Sequence, residues 1–292
     1  MPTIRQLKRR ITSVGNTAKI TNALQLVAAS KMRRAQDRAL QARPYAEKLR
    51  AVLAGLATGA DGGEGPAHPL LALRPARAVA VLHITPDRGL CGGLNANLNR
   101  SAGSFVADRE EDVQVVAVGK KGRDFFVRAR TKVVAEFTEL GDYPSQADTL
   151  AIARLIIDDY LNEVVDRVYI SFPHFVNTAS QRPMIRQLLP IEPPQMDSTA
   201  EAETFRQSYL FEPSPNVVLE RLLPRFIEMQ IYEAVLESAA SEQSARMVAM
   251  KNATDNAADI QRELTLTYNK LRQEQITNEL LDIVGGAAAL ED

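Results

Sequence analysis

The C-terminal stretch, residues 215–292, sets the strongest limit on how this chain can fold. No glycine occurs between Pro215 and Gly285, and we predict one helix of roughly 75 residues, on the order of 110 Å long at 1.5 Å per residue. A compact chain of 292 residues has a radius of gyration of only ~19 Å, so this helix must extend beyond any compact domain. Because propensity alone does not stabilise a long helix in water, we predict a partner helix along its length.

The partner is predicted in the same chain, at residues 1–57, with Thr3 as a suitable N-cap. Apolar and small residues recur there with the 3-4 spacing of a coiled-coil seam: Ile4, Leu7, Ile11, Val14, Ala18, Thr21, Gln25, Ala28, Met32, Ala35, Ala39, Ala42, Ala46, Leu49, Leu53 and Leu56. The alternative is a helix that packs on a domain core, although such a helix rarely keeps one register for so long.

The C-terminal helix has a matching seam, which is more polar than a self-sufficient zipper requires. Its positions are Leu219, Leu222, Phe226, Met229, Glu233, Leu236, Ala240, Gln243, Met247, Met250, Thr254, Ala257, Gln261, Leu264, Tyr268 and Leu271. Polar core positions weaken a coiled coil. We therefore predict an antiparallel helix pair whose stability is shared with surrounding subunits.

The N-terminal helix has features that a simple two-helix pair does not explain. Pro44 lies inside the register, so we expect a kink or a break there. Ile20, Leu24 and Val27 lie off the seam, and an apolar stripe away from the partner helix suggests enclosure by another molecule.

The N-terminal helix also carries many more basic than acidic residues. Asp37 is the only acid among Arg5, Lys8, Arg9, Arg10, Lys19, Lys31, Arg33, Arg34, Arg38 and Arg43. This run suits an acidic protein surface or nucleic acid, but no aromatic residues interleave it for base stacking.

Between the helices we predict a Rossmann-like α/β domain at residues 77–190, flanked by linkers at 58–76 and 191–214. Apolar strands alternate with helices, which indicates a mostly parallel and covered sheet. The predicted strands are 77–84, 113–118, 132–137 and 167–172, with an antiparallel hairpin over 175–189. The predicted helices are 94–108, 120–128 and a third from Ser145 to about Val164.

No catalytic or cofactor-binding constellation is evident. The glycine-rich turn at residues 87–95 (DRGLCGGLN) follows a strand, where such sheets often bind phosphates, but it matches neither G-x-G-x-x-G nor G-x-x-x-x-G-K-[ST]. His68, His83 and His174 are too scattered to predict a metal site. Cys91 is the only cysteine, and a lone cysteine in a tight turn is usually inert. We expect no cofactor.

Composition places the protein among ordinary globular chains. Its net charge of −1 does not favour nucleic-acid binding by bulk charge. No apolar run approaches the ~20 residues that span a bilayer, and the N-terminus does not resemble a signal peptide. We expect a cytosolic protein, or one held peripherally at a membrane by a partner.

Three motifs resemble those of one known family, and together they cover nearly the whole chain. Residues 11–21 (ITSVGNTAKIT) and 23–32 (ALQLVAASKM) look like the N-terminal signature of F-type ATP synthase gamma subunits. The glycine-rich turn at 87–95 resembles their central motif. The C-terminal signature is matched at 247–257 (MVAMKNATDNA), 268–270, 272–273, 276–277, 279–280 and 283–287 (IVGGA).

The resemblance implies a non-catalytic rotor subunit of the bacterial type, present in one copy per complex. In this family the terminal helices form an antiparallel coiled coil inside a hexamer of alpha and beta subunits, and the α/β domain lies against the c-ring and the epsilon subunit. Proton flow turns the ring, and ATP chemistry takes place on the beta subunits. The implied location is the cytoplasmic face of the cell membrane, without membrane insertion or nucleic-acid binding. The single cysteine excludes the cysteine-pair redox switch of chloroplast relatives.

The resemblance also implies roles for particular residues. Arg272 and Gln273 match the positions that hydrogen-bond a beta-subunit loop as a catch. Faces toward the hexamer are implied for Ile20, Leu24, Val27, Lys31, Arg33 and Arg34. Val284, Ala287 and Leu290 correspond to a bearing tip. The base motif comprises Asp87, Arg88, Gly89, Cys91, Gly92 and Gly93.

Two other functions remain open from the residues alone. The first is a coiled-coil scaffold or nucleic-acid adaptor that uses the basic helix, for which steeply salt-dependent DNA binding is the expected sign. The second is a nucleotide-binding enzyme built on the α/β domain, which calorimetry with ATP and NAD would reveal.

Overall fold

The computed structural model describes residues 3–59, 68–192, 212 and 214–291. Along the chain, the α/β segment lies between two long helices: α1 covers Ile4–Gly59 and α5 covers Pro215–Glu291. Between them lie β1 (Ala78–Ile84), α2 (Leu94–Ala107), β2 (Asp112–Val118), α3 (Lys120–Arg128), β3 (Lys132–Phe137), α4 (Gln146–Leu161), β4 (Arg167–Asn177) and β5 (Ser180–Leu189). The chain divides into two compact units, Met1–Ala28 with Arg246–Asp292, and Ala29–Ala245. Each contains part of both long helices.

The sheet is five-stranded in the order β3-β2-β1-β4-β5. Strands β1, β2, β3 and β4 are parallel to their neighbours, and β5 is antiparallel to β4. The expected fold class, a Rossmann-like domain with an antiparallel pair of terminal helices, is confirmed. The hairpin begins its return later than expected, because β4 continues through Pro173 to Asn177.

Both faces of the sheet are covered, as continuous apolar strands require. On one face Ala80, Leu82 and Ile84 pack in a core that also includes residues of α4 and the part of α5 around Phe226. On the other face Val79 and Val81 pack with residues of α2 and α3. Alternate residues of β1 thus serve opposite layers, which is the period-2 geometry of a strand.

Two N-terminal helix caps form at the residues that the sequence predicts, Thr3 of α1 and Ser145 of α4. Gln6 N donates to Thr3 Oγ1 at 3.3 Å, and Thr3 N donates to Gln6 Oε1 at 3.0 Å, a reciprocal capping box. Ser145 is the N-cap of α4, and the Asp148 Oδ2 atom in the first turn accepts from both its N–H and its hydroxyl. This helix ends at Leu161, a few residues before the predicted end.

The predicted seams match the burial pattern. In the larger unit Ala35, Ala46, Leu49 and Leu53 of α1 are buried, as are the α5 residues Leu219, Phe226, Met229, Leu236, Ala240 and Gln243. The polar seam residue Glu233 has a partner on α1, since its Oε2 lies 2.6 Å from Arg50 Nη2.

Prolines and glycines interrupt the structure less than expected. A break at Pro44 does not occur, because α1 is continuous across it and the proline is exposed; the alternative of a kink there stays a prediction. Pro224, which the prediction did not take into account, likewise lies inside α5. In the predicted 58–76 linker, α1 extends to Gly59 and a 3-10 turn spans Pro69–Leu71. Leu70 is fully buried there, so packing overrides the irregular composition.

Other expectations lie outside the described residues. These are the structure of residues 60–67 and most of the predicted linker at 191–214. The division of the chain into the predicted domains and linkers stays a prediction.

Candidate functional site: helix pair and glycine-rich loop

In the smaller unit the two helices pair antiparallel along the predicted seam. Thr21 Oγ1 and Thr254 Oγ1 share a hydrogen bond of 2.7 Å. Further along, a Cβ on Gly15 would lie 3.4 Å from the Gln261 side chain, so glycine permits the close approach. The most deeply buried seam residues are Leu7, Ala28, Met250 and Ala257.

This register leaves the end of α5 without a partner in the described chain. Each step toward the N-terminus of α1 matches a step toward the C-terminus of α5, so Ile4, where α1 begins, lies beside the last half-buried seam residue, Leu271. From Arg272 to Val284 every residue of α5 is exposed. The exposed set includes five large apolar side chains, Ile276, Leu280, Leu281, Ile283 and Val284.

The predicted catch and bearing residues lie on this exposed segment. Arg272 and Gln273 are both exposed, and Val284 is 65% exposed. The backbone positions of Ala287 and Leu290 lie in α5, but their side chains lie outside the described part of the structure. The catch and bearing roles remain predictions.

The predicted off-seam stripe on α1 is largely exposed. Ile20 is 61% and Val27 is 51% exposed, and their neighbour Leu26 is 64% exposed. Leu24 differs, because it is half-buried. Exposed apolar side chains on one helix indicate a contact surface.

The basic residues that follow on α1 contact a loop of the α/β domain. Lys31 Nζ lies 2.7 Å from Asp142 Oδ2, and Arg34 Nη1 donates to Tyr143 Oη at 3.1 Å. The guanidinium of Arg38 lies 4.8 Å from the centre of the Tyr143 ring, within cation–π range. Arg33 is exposed. Lys31 and Arg34 therefore have partners within the chain, which the sequence analysis did not foresee.

The predicted base motif forms a compact turn between β1 and α2. Asp87 connects three segments, because its carboxylate accepts from the Lys120 backbone N–H at 2.9 Å and from the Glu139 N–H at 2.9 Å. Gly92 has φ 60° and Gly93 caps α2. Leu90 has φ 64° and is 65% exposed.

Cys91 and its neighbours in this turn are held by side chains of α2. Cys91 is 2% exposed and its Sγ accepts from Asn95 Nδ2 at 3.2 Å. The same Asn95 amide lies 3.4 Å from the Arg88 carbonyl oxygen, and Gly89 lies between these two anchored residues. The thiol is thus packed within the fold, as expected for a structural cysteine.

The carboxyl edge of the parallel strands, where related folds bind nucleotides, is filled by the protein itself. A cavity of about 60 Å³ lies there between Thr85, Gly119 and the α5 residues Ser238, Ala239 and Glu242. Small-molecule sites have volumes of roughly 300–1,000 Å³. A nucleotide does not fit in this space. The Lys120 backbone N–H, which could otherwise bind a phosphate, already donates to the Asp87 carboxylate.

The structure contains a buried histidine network that the sequence does not predict. His83 is fully buried in β1, with Nδ1 at 3.1 Å from Ser171 Oγ and Nε2 at 3.0 Å from Asn99 Oδ1. Burial lowers the pKa of His83 to about 4, and the hydrogen bond to Asn99 opposes this only in part. The imidazole is neutral at pH 7 and connects β1, β4 and α2.

Neither metal-binding nor membrane-spanning features occur in the part of the chain that the structure describes. Its His, Cys, Asp and Glu side chains form no group of three or more that could hold a metal ion. Among its helices, none combines the length and the apolar character needed to cross a membrane.

Comparisons with known proteins agree with this arrangement. The ATP synthase family profile matches residues 3–290. The ATP synthase gamma chain of Dehalococcoides mccartyi strain CBDB1 is 54% identical over 290 residues, covering 99% of this chain and 100% of that relative. The gamma chain of Roseiflexus castenholzii is 51% identical over 299 residues, with 100% of both chains covered.

Solved structures share the fold at lower identity. A chain from the rotor of the Euglena gracilis mitochondrial ATP synthase superposes with a TM-score of 0.67 at 18% identity, covering 94% of this chain and 98% of that one. A chain from the central stalk and c-ring of the Tetrahymena thermophila enzyme has a TM-score of 0.61 at 24% identity, covering 80% and 99%.

Long paired terminal helices around a Rossmann-like domain therefore define a fold that is found in the central stalks of ATP synthases. The full-length identity to curated gamma chains then establishes the relationship. This chain belongs to the ATP synthase gamma chain family.

Proposed function

We propose that this protein is the central-stalk rotor, or gamma, subunit of a proton-translocating F-type ATP synthase. In this role it couples rotation of the c-ring to conformational change in the alpha–beta hexamer, and so to synthesis or hydrolysis of ATP. The subunit has no catalytic site of its own, since ATP chemistry takes place on the beta subunits. Full-length similarity to gamma chains supports this assignment.

The observation that carries the proposal is the unpaired apolar end of α5. Ile276, Leu280 and Ile283 are 47%, 57% and 67% exposed, on a helix with no partner in the described chain beyond Leu271. An exposed apolar helix of this kind is stable only when something surrounds it. The central cavity of a ring of subunits provides such a surrounding.

The proposed partners are the alpha and beta subunits, the epsilon subunit and the c-ring, with one gamma copy per complex. We place the protein at the cytoplasmic face of the cell membrane, held there peripherally by the complex. The exposed off-seam residues Ile20 and Val27 would face the hexamer. Arg272 and Gln273 would contact a beta-subunit loop, and the apolar C-terminal segment would turn in its bearing.

Stoichiometry provides the sharpest test. We expect the chain to co-purify with alpha, beta, epsilon and c subunits, and mass spectrometry of the intact complex to give one copy per three alpha–beta pairs. A chain that stays monomeric and does not bind a purified alpha–beta hexamer would contradict the proposal. So would a complex that contains three copies, because a single shaft must serve all three catalytic pairs.

A further inference from the structure

The β4–β5 hairpin meets the long helix along an edge that no strand covers. Strand β1 pairs with β4 only from Arg167 to Ser171, but β4 continues to Asn177. Beyond Ser171 the N–H and C=O groups on this edge of β4 therefore have no described strand to pair with. Backbone polar groups that are shielded from water need partners, and an open strand edge must be covered.

The local sequence determines which of these groups turn outward. Pro173 lies opposite Pro183 in the hairpin. Neither proline has an N–H, so this pair cannot form the ladder hydrogen bonds of a hydrogen-bonded pair. In an antiparallel ladder hydrogen-bonded pairs alternate with non-hydrogen-bonded pairs, so the backbone groups of Pro173 and of Phe175 point away from β5. Both point toward α5.

Side chains of α5 bind these outward groups in place of a strand. Ser241 Oγ donates to the Pro173 carbonyl oxygen at 3.2 Å. Glu237 Oε1 accepts from the Phe175 N–H at 3.0 Å and lies 2.6 Å from His174 Nδ1. One turn of helix thus satisfies consecutive positions of the strand edge that face away from β5.

The same helix face continues to the hairpin turn. Ser244 Oγ donates to the Thr178 carbonyl oxygen at 2.7 Å and lies 3.3 Å from Gln181 Nε2, which can donate to it. Ser241 and Ser244 are both fully buried, although alanine would favour the helix more than serine does. Positions 237, 241 and 244 have the spacing of one helix face, and we call this set the hairpin clamp.

We propose that the hairpin clamp transmits torque between the Rossmann-like domain and α5. The inference rests on the proposed rotor function. Apolar contacts are non-directional and resist sliding of a helix only through side-chain interlocking, whereas hydrogen bonds depend steeply on distance and angle. Bonds to fixed points of the sheet edge therefore hold α5 against rotation about its own axis. Glu237, Ser241 and Ser244 are positioning residues, since they touch no reacting group.

The test uses the assembled ATP synthase in sealed vesicles, with the triple variant Glu237→Ala, Ser241→Ala and Ser244→Ala. Loss of the clamp bonds should increase opening of the hairpin edge on the order of a hundredfold, measured as faster hydrogen exchange of the Phe175 amide. ATP hydrolysis without a proton gradient should persist. The maximum proton gradient that ATP hydrolysis sustains should fall, because a slipping connection fails under load.

Two controls separate torque transmission from packing. Ser238→Ala removes a buried hydroxyl from the same helix, where it lines the small cavity beside Thr85 and Gly119, and should leave both readouts unchanged. Glu237→Gln keeps an oxygen that accepts from Phe175 and should retain most of the gradient. If the triple variant does not assemble, Glu237→Ala alone removes the acceptor of the Phe175 N–H and is measured by the same two readouts.

Each result decides the inference. Faster exchange with an undiminished gradient would overturn it, because the clamp would then be structural only. Unchanged exchange would overturn it as well. If the unmodified chain does not assemble with alpha and beta subunits, the proposed rotor function is wrong. If the triple variant assembles and pumps normally, only the role of the hairpin clamp is wrong.

Discussion

His83 is an imidazole buried without a charge, so its protonation opposes folding. Its pKa of about 4 in the folded chain lies below the ordinary 6.5, so the unfolded state takes up the proton first as the pH falls. The stability that depends on neutral His83 is complete above pH 6.5 and is lost progressively between pH 6.5 and 4.

We predict that this titration costs roughly 3 kcal/mol between pH 7 and pH 4. Urea unfolding of the full-length chain, followed by circular dichroism, measures the loss. His83→Gln should flatten the pH dependence in this window. A histidine NMR titration that places the pKa near 6.5 would contradict the prediction.

Gly119 combines an unusual backbone conformation with a close contact. It has φ 94° and ψ 144°, and a Cβ there would lie 1.9 Å from the Thr85 carbonyl oxygen. Gly141 has φ 79°, but nothing lies within 4 Å of a Cβ at that position.

Gly119→Ala should therefore destabilise the protein by about 3 kcal/mol or more, through both strain and collision. Gly141→Ala should cost about 1–2 kcal/mol, from the backbone conformation alone. Chemical denaturation of the two variants side by side measures the difference. Equal effects would show that the contact with Thr85 relaxes without cost.

At the scale of elements, periodicity made much of the fold predictable. The seams of α1 and α5 were readable because burial repeats with the helical period, which is a local property of the sequence. The strands could be predicted because β1 and β2 are largely apolar, with only His83, Asp112 and Gln114 as polar members. The contact of Lys31 with Asp142 was not readable, because the two residues are 111 positions apart and either charge is equally suited to solvent.

The hairpin clamp shows a second limit of sequence reasoning. Ser241 and Ser244 look like ordinary helix-surface residues, and only the unpaired edge of β4 explains their burial. The continuity of α1 across Pro44 was missed for the opposite reason. Proline disfavours a helix interior by roughly 3 kcal/mol, and the packing of neighbouring residues such as Ala46 and Leu49 exceeds that local preference.

The threonine pair in the seam allows a test of the helix pairing. Thr21 and Thr254 share one hydrogen bond, so one hydroxyl donates to the other. The remaining hydroxyl donates within its own helix, Thr254 to the Met250 carbonyl or Thr21 to the Thr17 or Ala18 carbonyl. Replacing both with valine exchanges a polar contact for an apolar one of the same shape, which is often stabilising.

Thr21→Val with Thr254→Val should stabilise the helix pair by about 1 kcal/mol. Slower hydrogen exchange in residues 246–271 would report it. Thr21→Val alone should be nearly neutral, because Thr254 keeps its bond to the Met250 carbonyl. A destabilised double variant would mean that the inter-helix hydrogen bond specifies the register.

At the scale of the whole molecule, the sequence indicated the family, because its signature residues lie at both ends and in the central turn. The sequence does not define what each of those residues does. Arg272 and Gln273 are exposed on α5, and the catch contact proposed for their side chains would lie in another chain. One chain cannot specify that contact physically, because the partner's groups are missing from it.

We predict that replacing Arg272 and Gln273 with alanine lowers ATP turnover of the assembled complex about tenfold without dispersing it. Steady-state hydrolysis and native gels measure the two properties. Glu274→Ala is the matched control, since Glu274 is an exposed neighbour whose carboxylate makes only a long contact of 4.0 Å to Lys270. Unchanged turnover in the double variant would remove both residues from the functional site.

The uninterrupted seam of the helix pair also has a consequence for its mechanics. A strict seven-residue repeat winds two helices into a left-handed supercoil, and a supercoil is chiral. Twisting it in one sense tightens the winding, whereas the opposite sense unwinds it. We therefore expect the helix pair to act as a torsional spring with unequal stiffness in its two directions, and to store different amounts of elastic energy when it is twisted in one sense and in the other.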